Sequence, residues 1–189
     1  MLIKGFSKRF RHILPALIHF VRCISWRCGR PFICSSLDLS MLKSRLQPGT
    51  IILSRRNYEF SNLMIRGYWK HAAICIDETR VAEAVFEGAR IREIVDVIRG
   101  SDDFKLIRPG FGDSTVCHEA SKYAERMVGV PYNVLFKPDA NSLYCSELVL
   151  NAYEKAMNGK LDDTPFQRMS FRYHRGYVIE PDHFLALSM

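Results

Sequence analysis

Three polar residues in this chain have the types and placements that thiol chemistry requires. Cys145 follows an irregular segment and opens a run with apolar residues at Leu148, Val149, Ala152, Tyr153 and Ala156, the spacing of one helix face. A cysteine in the first helical turn meets peptide N–H groups that lack intrahelical partners, and the helix dipole favours its thiolate. The same N–H groups could hold the oxyanion of a tetrahedral intermediate, at about 3 kcal/mol per donor. A free thiol is mostly protonated near neutral pH, so it needs a base beside it. His71 begins an apolar strand-like run, and Glu83 lies on the next one, across the turn Asp77-Glu78-Thr79. In an antiparallel hairpin about that turn, position 71 falls opposite roughly 83–85, where a carboxylate reaches the second imidazole nitrogen. Spacing therefore allows a Cys–His–Glu relay.

Each member also has a plainer reading. A cysteine heading an amphipathic helix is often a small buried apolar group, and a histidine starting a strand is commonly structural. Glu83, between Ala82 and Ala84, calls for a partner, because a charge in a small-residue strand tends to be paired. Other candidates are weaker. Cys75 sits mid-strand with its peptide groups committed to the sheet. Cys117 and His118 are neighbours on a helix and diverge. His174 and His183 lack metal-ligand spacing and read as surface or packing residues. Tyr132 and Tyr144 read as core, and Ser146 and Glu147 as local capping or pairing residues.

The elements that must position these groups follow from pattern. Pro48-Gly49 opens the domain, Thr50–Ser54 reads as a buried strand, and His71–Ile76, Val81–Val85 and Arg90–Ile94 follow as further strands. Asp96–Gly100 reads as a helical turn and Phe104–Arg108 as a strand. A helix starts at Ser114, with core positions at Ala120, Tyr123, Ala124 and Met127–Val128 and a C-cap at Gly129. A second helix runs from Cys145 to about Met157, and one more strand is expected near Tyr177–Ile179. Meandering strands with helices to one side make an α+β domain.

Composition narrows the classes. The chain has 189 residues, 48% hydrophobic and 25% charged, ordinary for a globule large enough to need no staples. The net charge of +7 is carried by residues 1–30, which hold seven Lys and Arg and no acid. Residues 31–189 balance to zero, so a nucleic-acid partner is not expected. Residues 1–40 read as a basic, partly apolar arm and 41–189 as the catalytic domain. The apolar stretch within the arm is too short and too broken to span a bilayer; it suits peripheral contact with an anionic membrane, packing on the body, or a processed targeting segment. Expected localisation is cytoplasmic or peripheral at a membrane surface. The six cysteines include no CxxC pair, so structural zinc is not expected; no other metal and no cofactor is expected.

The order of Pro48-Gly49-Thr50-Ile51-Ile52, Trp69-Lys70-His71-Ala72-Ala73-Ile74, Val81-Ala82-Glu83-Ala84, Gly129-Val130-Pro131-Tyr132-Asn133 and Tyr144-Cys145-Ser146-Glu147-Leu148-Val149 resembles the circularly permuted NlpC/P60 group of papain-like cysteine hydrolases, in its YiiX/YaeF-like branch. The resemblance spans about residues 46–185. It implies a permuted papain-like α+β fold, an antiparallel meander or barrel-like sheet with helices packed on one side. It further implies Cys145 as nucleophile, His71 as general base and Glu83 as the third, polar member. Amide-bond hydrolysis through a thioester is the implied reaction, on peptide, isopeptide or N-acyl substrates, including cell-wall peptides. Two other readings use the same scaffold: a lipid acyl hydrolase or acyltransferase, and a catalytically silent binding module.

Overall fold

The structure, a computed structural model, describes residues 42, 44–57, 65–110, 114–136, 139, 141–158 and 165–188. The arm at 1–40 and positions 58–64 of the aromatic loop before Trp69 lie outside the described residues. Five strands form one antiparallel sheet: β1 (Ile51–Arg55), β2 (His71–Cys75), β3 (Arg80–Val85), β4 (Gly88–Glu93) and β5 (Asp103–Ile107), in the order β4-β3-β2-β1-β5. Among the described residues four complete helices accompany them: α1 (Ile94–Arg99), α2 (Ser114–Arg126), α3 (Cys145–Met157) and α4 (Pro165–His174). A 3-10 helix, Pro181–Leu187, ends the described chain. This is the α+β architecture that the alternating patterns predict, except that the helices are not all on one side: α1 packs on the sheet face opposite to α2 and α3.

Strand alternation sorts the core into two layers. Ile51, Leu53, Ala72, Ile74, Ala82 and Ala84 share the larger cluster with Cys117, Ala120 and Ala124 of α2 and Leu148, Val149, Ala152 and Tyr153 of α3. The intervening residues Ile52, Ala73, Cys75 and Val81 form a smaller cluster with Leu46 and Ile94, Val97 and Ile98 of α1. Small residues on β2 and β3 matter here, because alanines let the α3 axis approach the sheet closely. α3 therefore rests on the two strands that carry His71 and Glu83.

Two expectations, about the tail and about α2, are corrected. Tyr177–Ile179 is no strand: the Ile179 N–H donates to the Tyr144 hydroxyl at 3.0 Å rather than to a ladder. The tail forms α4 instead, burying Phe166, Met169, Ser170 and Tyr173 at helical spacing. Val128 is exposed rather than core, because α2 ends at Arg126 and the chain turns through Gly129 at φ +90°.

The turn before β1 has no room for a side chain. Gly49 has φ +83°, its N–H donates to the Cys75 carbonyl at 2.9 Å, and a Cβ there would stand 2.5 Å from the Cys117 carbonyl oxygen in α2. Left-handed strain and the collision with backbone add, so Gly49→Ala is expected to cost about 3 kcal/mol. Urea denaturation checks this through a lowered midpoint at unchanged slope.

Candidate active site

Cys145 is the first residue of α3. Tyr144 precedes it in extended conformation, and the first intrahelical bond, Leu148 N–H to the Tyr144 carbonyl, measures 2.9 Å. Buried groups fix this helix start. Glu147 accepts the Tyr144 N–H at 3.1 Å through Oε2, accepts the Tyr173 hydroxyl of α4 through Oε1, and is also hydrogen-bonded by the Asn133 side chain. The Asn133 N–H in turn donates to the Leu143 carbonyl at 2.9 Å, so the 131–133 segment braces the approach to Cys145. Burial pushes the Glu147 carboxyl upward, and its neutral donors do not fully offset that.

His71 is held by the sheet. Ala73 pairs with Glu83 across β2 and β3, so Glu83 lies diagonal to His71 on the same face. His71 Nε2 stands 2.9 Å from Glu83 Oε2, which leaves Nδ1 as the ring nitrogen for the sulfur. The segment leading into β2 is pinned by Asp182, which accepts the Tyr68 N–H at 2.8 Å and the Trp69 N–H at 2.7 Å.

Sequence spacing alone missed the groups that neutralise Glu83. Arg90 on β4 meets Glu83 Oε1 through Nε at 3.0 Å and Nη2 at 2.9 Å, and Arg92 Nη1 lies 3.7 Å from the same oxygen. The signal was present in the Arg90-Ile91-Arg92 alternation, because the tight turn after Val85 sets Glu83 directly opposite Arg90. Glu147, Tyr173, Asn133 and Asp182 were legible as residues but not as partners.

Electrostatics follow this geometry. Burial alone would raise Glu83, but His71 and then Arg90 overcome it and hold the carboxyl at about 2. Burial alone would lower His71, yet the Cys145 sulfur and Glu83 lift its imidazole to about 10. Cys145, also buried, is lowered by the His71 hydrogen bond and charge, with help from the Ala72 N–H and the Ser146 hydroxyl. The arrangement favours a thiolate–imidazolium pair.

The structure brings Cys145, His71 and Glu83 together and leaves the other candidates apart. Cys75 is buried, and burial pushes its thiol up to about 12. Cys117 is buried beside the Tyr153 hydroxyl, and His118 is exposed. His174 stands 3.1 Å from Glu154, and His183 Nδ1 accepts the Glu180 N–H at 2.9 Å.

A family model described as permuted papain-like amidase enzyme, YaeF/YiiX, C92 family, matches residues 45–175. The chain belongs to this family. It is accordingly a cysteine amidase-type enzyme that hydrolyses amide bonds. The crystal structure of the metalloprotein yiiX from Escherichia coli O157:H7 superposes with TM-score 0.57 at 20% identity, covering 75% of this chain and 92% of that one. That likeness concerns the fold. No curated protein matches the chain.

The charge pairing gives a direct test. Cys145 thiolate should persist at a pH where Cys75 is fully protonated, so iodoacetamide labels Cys145 first below neutral pH. In His71→Ala the labelling rise should move upward by more than one pH unit, read by mass spectrometry of each thiol peptide against pH.

Proposed function

We propose that Cys145, His71 and Glu83 act as nucleophile, base and orienter in hydrolysing peptide, isopeptide or N-acyl amide bonds through a thioester acyl-enzyme. The observation that carries this reading is the two-sided engagement of His71, with Glu83 on Nε2 and the Cys145 sulfur beside the ring. Glu83 selects the tautomer that keeps Nε2 protonated and stabilises the imidazolium.

In the first half-reaction the Cys145 sulfur attacks the carbonyl carbon and the carbonyl π electrons move to oxygen. The Cys145 N–H, at the α3 N-terminus, is a natural donor to that oxyanion. Collapse re-forms the carbonyl and breaks the C–N bond as the imidazolium gives its Nδ1 proton to the leaving nitrogen. Water then attacks the thioester, Nδ1 takes its proton, and the acid departs as Cys145 is restored. Acyl transfer to an acceptor other than water would share the first half.

The yiiX relative is titled a metalloprotein. In this chain, no three His, Cys, Asp or Glu among the described residues gather as a metal-ligand group, and both Glu83 oxygens already meet cationic partners.

Cys145→Ala should abolish amide hydrolysis, and wild-type enzyme quenched in acid during turnover should carry the mass of the acyl group on the Cys145 peptide. Absence of that adduct on Cys145, with activity retained in Cys145→Ala, would overturn the assignment. Glu83→Gln should reduce kcat/KM by about 100-fold. Its rate profile should also lose the alkaline shoulder, because His71 loses the anion that raises its pKa and deprotonates below about 10.

A further inference from the structure

One face of α4 is exposed. The helix buries Phe166, Met169, Ser170 and Tyr173. The opposite stripe, Arg168, Phe171, Arg172 and, one residue past the helix end, Arg175, is exposed. Phe171 is 57% exposed, and Tyr177 and Val178, just beyond, are 55% and 41% exposed. Residues 165–179 contain no Asp or Glu. Among the described residues, no carboxylate pairs with these arginines; instead Arg175 lies 4.2 Å from the Phe171 ring centre and Arg172 lies 5.5 Å from that of Tyr177.

Cations near a helix C-terminus complement its dipole, which accounts for Arg172 and Arg175. It does not account for three large apolar side chains held in water within eight residues, interleaved with the arginines. Among the described residues this charge has no carboxylate partner and this apolar bulk no cover, a combination that calls for a partner both anionic and apolar. Guanidinium groups beside aromatic rings suit a soft interface. There the rings enter the acyl boundary while the cations stay with phosphates.

The patch also adjoins the candidate site. Tyr173, on its buried side, donates to Glu147, and Ile179 donates to the Tyr144 hydroxyl, so both flanks of Cys145 are tied to this segment. We infer that the Arg168–Val178 patch docks the enzyme on an anionic lipid surface beside Cys145. Docking would favour amide substrates displayed on that surface, a consequence that rests on the proposed amide hydrolysis; the docking itself does not.

Full-length protein carrying Cys145→Ala, which separates binding from chemistry, should float with phosphatidylglycerol-containing vesicles more strongly than with pure phosphatidylcholine. Any contribution of the basic arm is common to all variants. Against that parent, Arg172→Glu with Arg175→Glu, and separately Phe171→Ser with Tyr177→Ser, should each weaken partitioning about tenfold or more. A tryptophan introduced by Val178→Trp should be quenched by brominated anionic lipid beyond the quenching of the parent. Both pairs partitioning like the parent, or no added quenching at 178, would overturn the proposal. So would binding of polyglutamate with the same dependence on these residues while vesicles are ignored, which would make the partner an acidic polypeptide.

Discussion

A buried carboxylate that stays ionised needs cations on it, and Glu83 has them from both sides. His71 comes from β2 and Arg90 from β4, with Arg92 behind it, so the order β4-β3-β2 is what assembles the charges. The two partners differ in kind. Arginine stays charged at any pH the fold meets, and it keeps Glu83 ionised whether or not the imidazole carries its second proton. His71 therefore always faces an anion, and its raised pKa and the lowered one of Cys145 follow from that standing charge. In stability terms the depressed Glu83 carboxyl contributes above its ordinary range and loses that contribution as pH falls toward about 2.

The second buried glutamate shows the converse. Glu147 is surrounded by a hydroxyl, a peptide N–H and an amide rather than by cations, and its carboxyl is raised. It ties α3, α4 and the Asn133 segment to one point. One glutamate thus sets charge and the other sets position, and the difference lies wholly in their neighbours. Asp182 extends the same logic to the entry of β2, so the tail of the chain braces both the sulfur and the imidazole.

Local pattern carried much of this. The β2–β3 hairpin, the Cys145–Met157 helix and the strand at Asp103–Ile107 follow from periodicity and from turn residues near in sequence. The tail resisted, because Tyr177-Val178-Ile179 is as apolar as a strand while its hydrogen bonding goes to a distant tyrosine. α4 was hidden for a related reason: its buried stripe includes a serine and its exposed stripe a phenylalanine, which blurs the contrast that reveals an amphipathic helix.

By itself, then, the sequence determined the residue types able to do thiol chemistry, the hairpin that sets Glu83 diagonal to His71, and a motif order that belongs to the permuted papain-like amidases. Tertiary structure alone decided that the head of α3 meets the start of β2, that Arg90 shares Glu83 with His71, and that the tail ties down both sides. The physical reason is range. Hairpin register and helix faces are set by neighbours a few residues away, whereas these meetings exist only after the core has closed and chosen which distant groups share a buried charge.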